Sequence, residues 1–293
     1  MAPISIRQAE QLAAQSAKSR PDTEGRLSGC LALVTGGAQG FGFGIAQSLY
    51  REGASVALAD LNFRQAQIAA AELGSRAFAI HADVSDQKSV EDMAAQAVEY
   101  MGGIDLFISN AGVLKSGGLD ELSPAEFDFV TRVNYTGYFL CVQAVSRIMK
   151  AQFETDGKRW YDIVQINSKS GLEGSRRNFA YAGGKFGGIG LTQSFAMELI
   201  PYQIKVNSIC PGNYYDGPLW SDPENGLFVQ YLRSGKVPGA ATVEEVKASY
   251  LAKTLIPRGC LPEDVAKAVF YCVEQCYETG QAIPVSGGQI MLS

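Results

Sequence analysis

The stretch Cys30-Leu31-Ala32-Leu33-Val34-Thr35-Gly36-Gly37-Ala38-Gln39-Gly40-Phe41-Gly42 decides how the rest of the chain is read. Its first residues are a short apolar run introduced by Gly29, the pattern of a strand buried on both faces of a parallel sheet. Glycines follow without a spacer, and Ile45-Ala46-Gln47-Ser48-Leu49-Tyr50 then begins a helix. Strand, glycine turn and helix, in that order, form the context in which a glycine motif reads as a dinucleotide fingerprint. Glycine permits a tight turn and a close backbone approach to a pyrophosphate, which would lie against the unpaired N–H groups of the helix N-terminus. The spacing is Gly-x-x-x-Gly-x-Gly instead of the commoner Gly-x-Gly-x-x-Gly, and a glycine-rich turn without a ligand is the plainer alternative. Gly36, Gly40, Phe41 and Gly42 are the residues expected to face the cofactor.

Working outward, Asp60 ends the next apolar run, Ser55-Val56-Ala57-Leu58-Ala59, and is followed by Leu61. An acidic side chain there would hydrogen-bond the adenosine ribose and repel a 2′-phosphate, which favours NAD over NADP. Arg64 is expected to point outward from the following helix. Beyond this unit, apolar runs alternate with amphipathic segments. The pattern predicts strands over 30–35, 55–60, 76–81, 104–109, 161–167, 203–209 and 281–285, and helices over 42–52, 62–73, 86–101, 124–151, 179–200 and 262–276. Such alternation gives one doubly wound parallel α/β sheet of about seven strands with helices on both faces. Ligands of such sheets bind beyond the carboxyl ends of the strands.

Tyr181 and Lys185 are four apart, so on a helix they share one face. Ser168 lies at the end of the strand-like run Asp162-Ile163-Val164-Gln165-Ile166-Asn167 and would be delivered beside that helix. A free tyrosine has a pKa of about 10. A neighbouring ammonium favours the phenolate, and acid–base catalysis is most efficient when the pKa approaches the working pH. The serine could then hold a substrate oxygen while the tyrosine moves its proton. Tyr-x-x-x-Lys by itself is usually only a surface pair; the upstream glycine turn gives it weight.

These residues carry a resemblance to the short-chain dehydrogenase/reductase family over about Leu27 to Ser293. Further motifs of the set are Asp83-Val84, Asn110-Ala111-Gly112, Asn134 in Val133-Asn134-Tyr135-Thr136-Gly137, and Pro211-Gly212. The resemblance implies a Rossmann-type fold and a catalytic set of Asn134, Ser168, Tyr181 and Lys185, with Asn134 linking Lys185 to solvent in a proton relay. It also implies cofactor contacts from Asp83, Val84, Asn110, Ala111, Gly112, Tyr181, Lys185, Pro211 and Gly212. A homotetramer built on the helices 124–151 and 179–200 is implied as well.

A narrower resemblance, to bacterial sorbitol-6-phosphate 2-dehydrogenases, lies in Gln165 to Gly171, Lys185 to Ser194, Gly137 to Cys141, Arg258-Gly259-Cys260 and Gly287-Gly288-Gln289. It implies interconversion of sorbitol 6-phosphate and fructose 6-phosphate with NAD. Departures from that pattern are an N-terminal extension, Ser109 in place of an asparagine, and Asn213 to Pro218 where a threonine is usual. An aromatic-rich segment from Trp220 to Tyr250 follows.

The organisation expected is therefore an extension, 1–26, with a helical pattern in Ile4 to Ala17, that packs on a neighbouring subunit or stays mobile, and a single NAD-binding catalytic domain, 27–293. An insertion at about 213–256 interrupts the alternation and reads as a lid or as a subunit contact. Candidate substrate residues are Lys169, Arg176, Arg177 and Lys115, suited to an anion, with Asn213 and Trp220 from the insertion. Solvated surface charge is the default for each cation. Open alternatives are a dehydrogenase of an unphosphorylated polyol or ketose, a reductase of acyl-carrier substrates, which Asp60 disfavours, and a non-catalytic NAD-binding protein of the same fold.

Composition narrows the field further. A net charge of −5 and a pI near 5.1 speak against nucleic acid as a partner. No apolar run approaches the ~20 residues of a membrane span, and Arg7, Gln8, Glu10 and Gln11 break any secretory core. A cytoplasmic location is expected by elimination. The six cysteines lack metal-ligand spacing and read as reduced thiols, and His81 is the only histidine, so a multi-histidine zinc site is excluded.

Overall fold

In the computed structural model, which describes residues 4–291, each apolar run of the sequence is a strand of one sheet. The strands are β1 (Leu31–Thr35), β2 (Ser55–Asp60), β3 (Ala77–His81), β4 (Leu106–Ser109), β5 (Tyr161–Ile166), β6 (Ile204–Pro211) and β7 (Ala282–Val285). They lie in the order β3-β2-β1-β4-β5-β6-β7, and every neighbouring pair is parallel. The runs are apolar throughout because both faces are covered. Leu33, Phe107 and Ile163 go to one core, while their neighbours Val34, Ile108 and Val164 go to the other. The first core is closed by α4 (Gln87–Met101), α6 (Gly137–Asp156) and α7 (Phe179–Leu199). The second is closed by α2 (Gly40–Arg51), α3 (Phe63–Leu73) and α11 (Pro262–Glu274). This is the doubly wound Rossmann-type architecture expected. Residues 1–3 of the expected extension and 292–293 of the expected domain lie outside the described residues. Among the described residues, no helix is long and apolar enough to cross a membrane.

Three segments differ from the sequence reading. In the extension the helical pattern forms α1 (Ile6–Ser16), started by a capping box between Ser5 and Gln8, and what differs is its packing. It packs on its own chain: Ala9, Ala13 and Ala17 are fully buried where α1 meets α4 and α6. Small residues four apart let that helix approach closely. Arg20 then closes a bidentate pair on Asp105, at 2.9 and 3.1 Å, and the same carboxylate accepts from the Leu31 amide at the start of β1.

The helix expected over 124–151 is α5 (Pro124–Thr131), a π-helical turn (Arg132–Thr136) and α6. The wider turn brings Asn134 inward. The insertion is not an irregular loop. It holds α8 (Pro218–Ser221), α9 (Leu227–Arg233) and α10 (Val243–Leu251) around a small core of Tyr215, Trp220, Phe228, Tyr231 and Val246.

Candidate active site

The carboxyl ends of β1, β2, β4, β5 and β6 open into one cleft of about 1220 Å³, walled on one side by residues of α8–α10. At its floor the chain leaves β1 through Gly36, whose φ of +61° suits glycine. A Cβ on Gly42 would stand 2.1 Å from the Gly36 carbonyl oxygen and 2.5 Å from Asn110 Nδ2, so the turn admits no side chain there. Asn110 holds this turn: its Nδ2 donates to the carbonyls of Thr35 and Gly36, both at 3.0 Å. Thr35 Oγ1 accepts in return from the amides of Asn110 and Ala111. Asn110, expected as a cofactor contact, is in the first place the staple of the glycine loop.

The start of α2 suits an anion. Gln39 stands at the cap position without a side-chain hydrogen bond, and Gly40 and Phe41 line the cleft beside it. Asp60 ends β2 close by, accepting from the Ala38 amide through Oδ2 (3.1 Å) and from the Asn62 amide through Oδ1 (2.9 Å). Leu61, Asp83, Val84, Ala111, Gly112, Pro211 and Gly212 also line this half, and Arg64 is exposed on α3. Uncapped amides, a turn with no room for a side chain and a carboxylate at the next strand end together fit a dinucleotide.

In the other half, β5 delivers Ser168. Asn167, 5% exposed, ties the strand end to α7 by donating to the Lys185 carbonyl (2.9 Å) and accepting from the Ser168 amide (2.8 Å). The Ser168 hydroxyl accepts from the Ser170 amide at 3.1 Å and also acts on the Tyr181 phenol, pulling its pKa down. Lys185 is buried, with Nζ donating to the Ile166 carbonyl at 2.9 Å and lying 5.6 Å from the centre of the Tyr181 ring. Burial pushes the half-buried Tyr181 phenol above its ordinary pKa, against the pull of the Ser168 hydroxyl, and pushes Lys185 down to about 8. The expectation that Lys185 lowers the tyrosine therefore meets a competing effect. The ammonium is engaged by a carbonyl and lies at the ring, so desolvation prevails.

Asn134, 4% exposed, sits on the π-helical turn, and both ends of its amide are spent on the Val113 backbone, at 2.8 Å each. These two bonds brace the loop after β4.

The candidate substrate residues separate. Lys169, Arg176, Asn213, Trp220 and Lys115 line the cleft. Arg177 is not among the lining residues; its guanidinium pairs with Glu121. Trp220 is mostly lid core, 6% exposed and edge-on to Tyr215 at 5.2 Å. Tyr214, Tyr231, Lys236, Tyr250 and Lys253, which the sequence reading did not single out as site residues, also form the cleft wall. Tyr214, tilted against Phe41 with centroids 5.1 Å apart, joins the insertion to the glycine loop. The Gly/Pro punctuation marked an insertion, but nothing in it told which of its side chains turn inward.

Residues 31–220 match the short chain dehydrogenase family. The sorbitol-6-phosphate 2-dehydrogenase of Escherichia coli K12 is 36% identical over 269 residues, covering 89% of this chain and 98% of its own. The sorbitol dehydrogenase of Cereibacter sphaeroides is 33% identical, covering 91% of this chain and 99% of its own. Among solved structures, sorbitol-6-phosphate 2-dehydrogenase SrlD from Erwinia amylovora superposes with a TM-score of 0.81 at 38% identity, covering 89% of this chain and all of that one.

Proposed function

The chain belongs to the short-chain dehydrogenase family, a family of oxidoreductases, and from that premise we propose that it is an NAD-dependent dehydrogenase interconverting sorbitol 6-phosphate and fructose 6-phosphate. The observation that carries the reading is the single cleft in which Ser168, Tyr181 and Lys185 face the glycine turn and Asp60. Bound NAD supplies the acceptor for the hydride of the substrate carbinol carbon. In oxidation, Ser168 holds the substrate hydroxyl, and Tyr181, as phenolate, takes its proton. Lys185 places positive charge next to that phenolate. In reduction, the Tyr181 phenol returns the proton to the ketone oxygen. The lid excludes water from the reacting atoms, which strengthens each of these interactions. The oligomer proposed is a homotetramer. Phe139 on α6 and Phe186 on α7, 41% and 47% exposed, are apolar surface that such an assembly would cover; a monomer by light scattering would remove it.

The test is the initial rate with sorbitol 6-phosphate/fructose 6-phosphate and with sorbitol/fructose, in NAD(H) and in NADP(H). A preference of ~100-fold or more for the phosphorylated pair, worth about 2.7 kcal/mol, is expected. A second reading, an unphosphorylated polyol dehydrogenase, is favoured by Glu173 and Asp222 on the same wall and by the loss of Arg177 to Glu121. Turnover of the unphosphorylated pair alone would select it.

Cofactor choice rests on Asp60. Asp60→Ala is expected to reduce the NAD/NADP ratio of kcat/KM by about 30-fold or more, because like charges placed together cost several kcal/mol. The ratio cancels any loosening from the lost Ala38 contact. An unchanged ratio would show that Asp60 only braces the loop.

A further inference from the structure

The lid and the catalytic helix meet at one lysine. Lys236 follows α9, and its ammonium lies 4.0 Å from the centre of the Tyr231 ring. Asn178, 3% exposed, is the cap residue of α7, three positions before Tyr181. An ammonium only donates, so the Asn178 amide turns its oxygen toward Lys236 Nζ, at 2.9 Å, where that oxygen also accepts from the Tyr231 hydroxyl at 3.1 Å. One of three N–H groups is thereby used, in a side chain that lines the cleft.

Lys169, Arg176 and Lys253 line the same end. Among the described residues, none of these four cations forms an ion pair. Lys253 instead lies 4.9 Å from the Tyr250 ring centre, and Glu173 acts on Lys169 only through space. Aromatic faces hold a cation without neutralising it. Burial and the surrounding positive charges push Lys236 down to about 8. Unneutralised like charges converging in a half-buried wall are costly alone and become favourable around an anion.

We propose that Lys236, with Lys169 and Lys253 beside it, anchors the phosphate of a phosphorylated polyol or ketose and sets the preference for that substrate. The inference rests on the dehydrogenase reading above. Because Lys236 bonds to the cap of α7, a phosphate held there is positioned relative to Tyr181, and the lid is fastened over the bound substrate.

The experiment compares kcat/KM for fructose 6-phosphate and fructose in the wild type and in Lys236→Met, Lys236→Arg and Lys253→Met, with NADH titration as the check on folding. Lys236→Met is expected to lower the phosphorylated/unphosphorylated ratio by about 10- to 100-fold, as befits a lost charge-assisted hydrogen bond, and mainly through KM. Lys236→Arg should retain most of the ratio. Inorganic phosphate should compete with fructose 6-phosphate in the wild type and much less in Lys236→Met. A wild type that prefers the phosphorylated ketose, with a ratio unchanged in Lys236→Met, overturns the inference and leaves the activity standing. A wild type without that preference overturns the phosphorylated substrate itself. Should Lys236→Met fail to bind NADH, the exposed Lys253→Met decides: a lower ratio supports the cluster, an equal one rejects it.

Discussion

Tyr181→Phe is expected to reduce turnover by at least ~100-fold, the range supplied by a positioned acid–base group, while the protein still binds NADH. The substitution keeps the ring beside Lys185 and removes only the hydroxyl on which Ser168 acts. No other group in the cleft is placed by both a strand end and α7 to exchange a proton with an oxygen held by Ser168. The pH dependence has a definite sign. Oxidation uses the deprotonated phenol, and burial holds that phenol above its ordinary pKa, so kcat/KM for oxidation should rise with pH. Reduction uses the protonated phenol and should fall at the alkaline end. Initial rates in both directions, from about pH 6 to about pH 10, test this; turnover of Tyr181→Phe equal to wild type would remove the tyrosine from the mechanism.

What the sequence made legible was local pattern tied to one geometry. The run 30–35 reads as a buried strand because alternate residues serve two cores, and the following glycines are explained by Gly42, where even a Cβ collides with the Gly36 carbonyl. The spacing of Ser168, Tyr181 and Lys185 likewise places three side chains by strand end and helical repeat alone. What escaped depends on contacts between distant segments. Helical periodicity runs unbroken through 124–151, yet a π-helical turn forms at Arg132–Thr136, where Asn134 pairs with Val113 and Gly137 is pressed against the Val84 carbonyl. Arg176 and Arg177 look equivalent in sequence. The left-handed backbone of Arg177, φ 65°, belongs to a loop whose Arg177 carbonyl accepts from the Gly117 amide, and its side chain goes to Glu121. The alanines of α1 mark a helix that packs closely but not the surface it meets. Lys236 could not be recognised at all, because its environment is built by Tyr231 and Asn178, 53 residues apart in the chain.

The second large effect lies outside the cleft. Asp162 on β5 and Lys205 on β6 are register partners across a parallel strand pair, 4% and 1% exposed, with Nζ 3.0 Å from Oδ1. Lys205 also donates to the carbonyls of Cys272 and Gln275, so one ammonium closes the C-terminal end of α11 while it compensates a buried carboxylate. Lys205→Met keeps the apolar stem but leaves Asp162 buried without a cation. Breaking such a pair costs about 3–5 kcal/mol. At about 2–4 °C per kcal/mol for large domains, Tm should fall by roughly 10 °C. Removing both charges in Asp162→Leu/Lys205→Met should restore much of that loss and leave a remainder for the helix end. The pH dependence identifies the cause. Burial raises the Asp162 carboxyl from 3.8 to about 6 even with Lys205 present. A folded-state pKa above the unfolded one means the native state binds the proton more tightly, so stability falls as pH rises through that window. Without Lys205 the folded value rises further, and the deficit of Lys205→Met relative to wild type should shrink as pH falls through about 6 and be smallest below it, where Asp162 is neutral in both proteins. Urea unfolding of wild type, single and double variants at two pH values measures each of these differences. A single variant as stable as the double, or a deficit independent of pH, would show that the Asp162 charge is relieved by something other than Lys205.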